Sequence, residues 1–118
     1  MIVLKFGGTS VMDSYWMDRT IDITYSQIEK APVLVSSAMA KTTDRLIAIA
    51  NFSAQKNKEG ILETIDILKK VHTDAANDFL TGSNLDKAAE SLDSLFNQLL
   101  SFSRGLYLLQ ECSPKSLD

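Results

Sequence analysis

The chain opens on Ile2-Val3-Leu4-Lys5-Phe6-Gly7-Gly8-Thr9-Ser10, and this segment limits the possible folds more than any other. An apolar run broken by a single lysine reads as a short strand. The two glycines end it and let the backbone come close to an anion. Thr9 and Ser10 can open a helix whose first N–H groups face the same point. A strand that delivers a lysine to a glycine turn ahead of a helix start is the pattern of a phosphate cradle, and it needs a second strand to pair with.

That second strand is Pro32-Val33-Leu34-Val35-Ser36, a continuous apolar run bounded by proline and hydroxyl residues. Continuous rather than alternating apolar character suits a parallel strand covered on both faces. Between the two lies a helix from about Val11 to Glu29, with Met17, Ile21, Tyr25 and Ile28 as its apolar stripe. Strand, helix and strand make one βαβ unit with a right-handed crossover.

Helices follow. Thr42 or Thr43 is expected to cap the first, with Asp44 in its first turn and Leu46, Ile47 and Ala50 on its apolar side. The next is expected over Glu59 to Leu80, with Ile61, Ile65, Leu68, His72, Ala75 and Phe79 in line and Gly82 as a stop signal. The last begins after Ser83 and Asn84. Leu85, Ala88, Leu92, Leu95, Leu99, Phe102, Leu106 and Leu109 recur by threes and fours. The last two helices should pair as an antiparallel hairpin across Thr81–Asn84.

The fold class is therefore α/β, the βαβ start of a parallel sheet followed by a helical subdomain. The expected division is 1–44 for the βαβ unit with its loops, 45–110 for the helices, and 111–118 for the start of a further element. Ser113-Pro114 is a helix-opening signal with only four residues after it. Two strands alone make a poor sheet. Both features lead to the expectation that the chain is a piece of a larger protein.

Composition narrows the function. A net charge of -3 and the absence of a basic run give no support for nucleic-acid binding. No apolar run approaches the ~18 residues of a membrane span, and nothing resembles a signal peptide, so the expected location is cytoplasmic. The single cysteine, Cys112, excludes an internal disulfide and a thiol-based zinc site, and reads as a buried or inert thiol.

Lys5 has two readings. It is either an edge lysine that snorkels to water, or a cation aimed at β- and γ-phosphate oxygens. Its position one residue before the strand ends in Gly7-Gly8 favours the second. The order differs from the GxxxxGK[ST] loop, since here the lysine precedes the glycines. The second strand exits into Ser36-Ser37-Ala38-Met39-Ala40-Lys41-Thr42-Thr43-Asp44. Ligands of open α/β sheets bind outside the carboxyl ends of the strands, so Ser37 and Thr43 are placed to hydrogen-bond a small polar substrate or to serve only as turn and cap residues. His72, on an apolar stripe, reads as a core residue. Tyr15 and Trp16 read as packing residues, and Asp13, Asp18 and Asp22 as helix surface.

These segments together resemble the aspartate kinases of the amino-acid kinase family. Lys5-Phe6-Gly7-Gly8-Thr9-Ser10-Val11 is similar to that family's opening signature. Val35-Ser36-Ser37-Ala38-Met39 with Thr43-Asp44 is similar to its second motif, and Glu111-Cys112-Ser113-Pro114-Lys115-Ser116 resembles a later stretch. The resemblance implies the N-terminal part of a catalytic domain. It implies ATP-dependent phosphorylation of the side-chain carboxylate of L-aspartate to 4-phospho-L-aspartate, the first step toward lysine, threonine and methionine. It further implies that Lys5, Phe6, Gly7 and Gly8 contact ATP phosphates, with Lys5 catalytic, that Ser37 and Thr43 hold aspartate, that Mg2+ bridges the phosphates, and that the protein is a homo-oligomer.

Two departures stand out. The family usually has small glycine-like residues where Ala40-Lys41 stand. Its catalytic domain is also well over twice this length, so the chain alone is expected to be inactive as a kinase. Two alternatives remain. One is another member of the superfamily acting on glutamate, a carbamate or a nucleotide. The other is a non-catalytic helical module that self-associates through the Leu85–Leu109 stripe.

Overall fold

The computed structural model describes residues 1–112, with side chains through Gln110. Two compact units divide at Thr43 and Asp44.

The first unit holds the sheet. Strand β1 (Ile2–Phe6) pairs in parallel with β2 (Pro32–Ser36), in a register that sets Lys5 opposite Val35 and Phe6 opposite Ser36. Both strands fall on the residues expected from their apolar runs. Paired residues share a face of a parallel sheet, so Val3, Lys5, Val33 and Val35 lie on one side and Leu4, Phe6, Leu34 and Ser36 on the other. Phe6 is buried, whereas Val3 is 64% exposed and Val33, Leu34 and Val35 are also exposed. The expectation that β2 is covered on both faces is therefore corrected. A sheet of two strands consists only of edges, and one helix cannot cover two faces.

The connecting helix is shorter than its sequence pattern. Gly8–Val11 forms a single 3-10 turn, and α1 spans Ser14–Ser26. Asp13 caps α1, its carboxylate accepting from the Trp16 N–H at 3.1 Å, which outcompetes Thr9 and Ser10 as a starting point. A second short 3-10 turn, Ile28–Lys30, closes the segment at Ala31, in left-handed conformation. The expected stripe is also corrected. Ile21, Tyr25 and Ile28 are exposed, while Thr20 is buried and donates to the Ser10 carbonyl at 2.8 Å, tying α1 to the turn that precedes it.

In the second unit, α2 (Thr42–Ala54), α3 (Lys58–Phe79) and α4 (Gly82–Cys112) enclose a core of Ile49, Ile61, Ile65 and Leu68. Thr42 and Thr43 already lie within α2, so neither stands before it as a cap; Asp44 does occupy its first turn. Its inward residues are Ile49 and Ser53, with Phe52 packed against the core, rather than Leu46, Ile47 and Ala50. The α3 stripe is as read, with Ile61, Ile65 and Leu68 buried. Asn57 caps α3 by accepting from the Gly60 N–H at 3.0 Å.

The α3–α4 hairpin is antiparallel, because Lys69 reaches Asp93 (3.8 Å) while the more N-terminal Lys58, Ile61 and Leu62 at α3's start border Leu100, Tyr107 and Leu108 near α4's end. Gly82 is not the residue that stops α3. Leu80 ends that helix in extended conformation, and Gly82, with φ of 58°, begins α4. On α4 the residues packed against the core are Phe96, Leu99, Leu100 and Tyr107. Leu95, Phe102, Leu106 and Leu109, expected on the same stripe, are exposed. The Ser113-Pro114 signal and the Lys115-Ser116 part of the third motif lie outside the described residues, as does the Cys112 side chain.

Candidate functional site

Parallel pairing brings the two strand exits to one edge of the sheet. The Ser37 N–H donates to the Phe6 carbonyl at 3.0 Å, extending the ladder one step past β2. A Cβ built on Gly8 would stand 3.7 Å from the Ser37 hydroxyl oxygen. Phe6, Gly8 and Ser37 are thus neighbours, though 29 positions separate the glycine from the serine in sequence.

Lys5 is exposed at the last turn of the β1 pleat, and no ion pair forms on it among the described residues. Gly7 follows in extended conformation, with φ of -81° and ψ of -177°. Those angles suit any residue, and a Cβ there would meet nothing within 4 Å. The fold itself therefore does not call for glycine at Gly7. A residue without a side chain leaves the backbone N–H groups open to a ligand, the arrangement an anion needs.

The cradle differs in one respect from the sequence expectation. The helix start after the glycines is only the Gly8–Val11 turn, in which the Ser10 N–H is taken by the Gly7 carbonyl at 3.0 Å. The N-terminus of α1 lies further on and is already occupied by the Asp13 carboxylate. The α1 dipole is therefore not directed at the Gly7-Gly8 turn. The Phe6 ring is buried and its carbonyl is engaged by the Ser37 N–H.

Ser37 is exposed, and its hydroxyl donates to the Ala38 carbonyl at 2.9 Å. Its oxygen lone pairs remain free to accept, and donation to a substrate requires the hydroxyl to turn from that carbonyl. Thr43 stands beyond the Met39–Thr42 turn, exposed in the first turn of α2, and shares no hydrogen bond with the others among the described residues. The structure therefore brings Phe6, Gly8 and Ser37 together, with Lys5 and Gly7 beside them along the chain, and no hydrogen bond among the described residues joins Thr43 to the group.

Two features of this edge escaped the sequence reading. Lys41 has φ of 64°, a left-handed conformation unusual for a residue with a side chain. The Thr42 N–H closes that turn on the Met39 carbonyl at 3.2 Å, while the Thr42 hydroxyl is buried with no partner. The sequence signal for the first was the bulky residue at a glycine-like position of the second motif. Nothing in the sequence marked the second.

His72 keeps its structural reading. Its Nδ1 lies 2.8 Å from the Leu68 carbonyl, which can only accept, so Nδ1 carries the proton. Its ring packs edge-on against Phe96 with centroids 5.8 Å apart. Among the described residues no helix is long and apolar enough to cross a membrane.

Comparison with known proteins agrees with the motifs. No protein-family profile matches the chain. Individual relatives do. The chain is 30% identical over 118 residues to aspartokinase 3, chloroplastic, of Arabidopsis thaliana, covering 98% of this chain and 20% of the relative. It is 26% identical over 118 residues to aspartokinase 1, chloroplastic, of the same plant, with the same coverage. A bifunctional aspartokinase/homoserine dehydrogenase 2, chloroplastic, of Zea mays is 24% identical over 116 residues, covering 98% of this chain and 12% of the relative. The chain is an aspartokinase-related region, and it spans about a fifth or less of the length of these curated relatives.

Proposed function

We propose that this region is the phosphate-handling start of an aspartokinase catalytic domain, and that the protein carrying it transfers the γ-phosphoryl group of ATP to the side-chain carboxylate of L-aspartate. The observation that carries the reading is the convergence at one sheet edge of a free lysine, a glycine pair that packing does not demand, and a serine from the neighbouring strand.

In this reading the amides at Gly7 and Gly8 and the Lys5 amine hold the nucleotide phosphates, with Phe6 fixing the strand end. Magnesium bound to those phosphates would spread their charge. Ser37 and Thr43 orient the acceptor. A carboxylate with an ordinary pKa of about 4 is already ionised at neutral pH, so no general base is required. Lys5 stabilises the negative charge on the transferring group, and alignment of the two anions supplies the rest.

The test is an amide-resolved NMR titration of the chain with Mg-ATP and with inorganic triphosphate. Shifts centred on Gly7, Gly8 and Ser37, lost in Lys5→Met, are expected. Shifts elsewhere, or a Lys5→Met variant that responds like the wild type, would remove the reading. Coupled ADP release with aspartate is expected to be absent for this chain alone.

A further inference from the structure

The start of α3 and the end of α4 leave a cavity of about 500 Å³ between them, within the roughly 300–1,000 Å³ of small-molecule sites. Its floor is Ile61 and Ser103, 4% and 2% exposed. Leu100 and Tyr107 are half-buried beside them, and Lys58, Arg104 and Leu108 stand exposed at the rim. Both charged residues of the lining are cations. Arg104 is the only charged residue between Ser94 and Gln110. Lys58 is the first residue of α3, a position where the helix dipole disfavours a cation. Neither has an acidic residue three or four positions away in its helix, and neither forms an ion pair among the described residues. Lys69 and Lys70, further along α3, do pair, with Asp93 and Asp74. The acids near the start of α3, Glu59, Glu63 and Asp66, line a separate groove that shares only Leu62 with the cavity.

We propose that this cavity binds a monomeric aliphatic carboxylate of medium chain length. Lys58 and Arg104 hold its carboxylate at the rim, and its chain runs inward past Leu100 and Leu108 toward Ile61. The orientation follows from the floor. The Ser103 hydroxyl already donates to the Leu99 carbonyl at 2.8 Å, so it has no proton to offer a charged head, and a charge set among Ile61 and Leu100 would go unpaired at high cost. At the rim, a guanidinium offers a carboxylate two parallel N–H donors and an ammonium adds a point charge. Two cations with no acid between them select an anion over a neutral or cationic amphiphile. A concave site with a buried floor selects a single chain over the flat surface of a bilayer. The site lies wholly in the second unit and involves no residue of the strand exits.

Methyl-resolved NMR of the chain titrated with sodium decanoate, kept below micelle formation, tests this. Saturable shifts at Ile61, Leu100 and Leu108 are expected, with a Kd of about 0.1–1 mM for a ligand of this size. Decyltrimethylammonium has the same chain and the opposite charge, and butyrate the same head and almost no chain. Each should bind about tenfold or more weakly. Lys58→Gln and Arg104→Gln should each weaken decanoate about two- to fivefold, with the thermal midpoint nearly unchanged because both side chains are exposed. Leu108→Glu sets a carboxylate at the rim and should abolish binding. No saturable shift up to about 5 mM decanoate would overturn the proposal, and so would decyltrimethylammonium binding as tightly as decanoate. Decanoate binding that both cation variants leave unchanged would overturn it too, as would shifts centred on Phe102 and Leu106, on the outer side of α4. Co-sedimentation with phosphatidylserine vesicles is expected to be absent; vesicle binding without decanoate shifts would assign the two cations to a lipid surface and overturn the proposal.

Discussion

The backbone N–H of Ser37 donates to the carbonyl of Phe6 at 3.0 Å, so the end of β1 and the loop after β2 are held by one hydrogen bond beyond the ladder proper. The bond belongs to the main chain, and the Ser37 side chain is not part of it. Its hydroxyl is engaged only locally, with Ala38. Two substitutions at one position therefore separate scaffold from chemistry. Ser37→Ala should leave the thermal midpoint nearly unchanged and weaken the Mg-ATP-dependent shifts at Gly8. Ser37→Pro removes the donor and strands the Phe6 carbonyl, at a cost of about 1–3 kcal/mol. Urea denaturation of both variants checks the contrast.

The glycines offer a second contrast. A Cβ on Gly60 would lie 2.9 Å from the Phe52 ring and 3.0 Å from the Asn57 amide nitrogen, so this glycine makes room for the α2–α3 packing and the Asn57 cap. Gly60→Ala should cost about 1–3 kcal/mol through overpacking. Gly7→Ala meets open space at ordinary angles, and loss of glycine's unfolded-state freedom should make it neutral or stabilising by about 0.4–1 kcal/mol. On the proposed reading the same methyl stands between a phosphate and the amides, so triphosphate binding should fall. Thermal melts combined with the titration distinguish the two. A Gly7→Ala variant that binds like wild type would leave the glycine without a role.

The strands were legible because each is an apolar run closed by residues that break strands, Gly7-Gly8 after Phe6 and Pro32 before Val33. The α3 stripe was legible through its spacing, since Ile61, Ile65 and Leu68 recur by fours and threes and all three are buried, while the equally apolar Leu62 and Ile67, off that row, are exposed. On α4 the pattern misled in a physically instructive way. Leu85 through Leu109 repeat at an average of 3.5 residues, whereas a straight helix turns every 3.6, so the row drifts by about 20° per heptad. Leu99 of this row still packs on the core, but Leu95, Phe102, Leu106 and Leu109 lie off the α3 side, where Phe96, Leu100 and Tyr107 pack instead. At the candidate site, the strand exits and the Lys5-Gly7-Gly8-Ser37 grouping could be read from strand order alone. The start of α1 could not, because Asp13 competes with Thr9 and Ser10 for the cap and only geometry decides among them.

Leu68 is the most enclosed apolar side chain described, 1% exposed and surrounded by Ile49, Ile61, Ile65 and α4 residues. Truncation there removes methyl groups from the one site where all three helices of the second unit meet. Leu68→Ala should cost about 2–5 kcal/mol, enough to unfold a helical unit with so few buried residues. Loss of helical circular dichroism at lower urea concentration checks it. Leu62, six residues earlier on α3 and exposed, serves as the control, and Leu62→Ala should change stability by less than about 1 kcal/mol.

Lys41 links the sequence departure at the second motif to a backbone cost. It occupies the third position of the Met39–Thr42 turn with φ of 64°, where turns with a positive φ favour glycine. A side chain in that conformation costs roughly 1 kcal/mol relative to glycine. Lys41→Gly should therefore stabilise the chain by about that amount, while Lys41→Ala, which keeps a Cβ, should not. Because Lys41 is exposed and unpaired among the described residues, charge loss is the same in both variants and cancels from the comparison. Parallel urea titrations of the two give the answer. Equal stabilities would mean that the turn carries no strain at this residue.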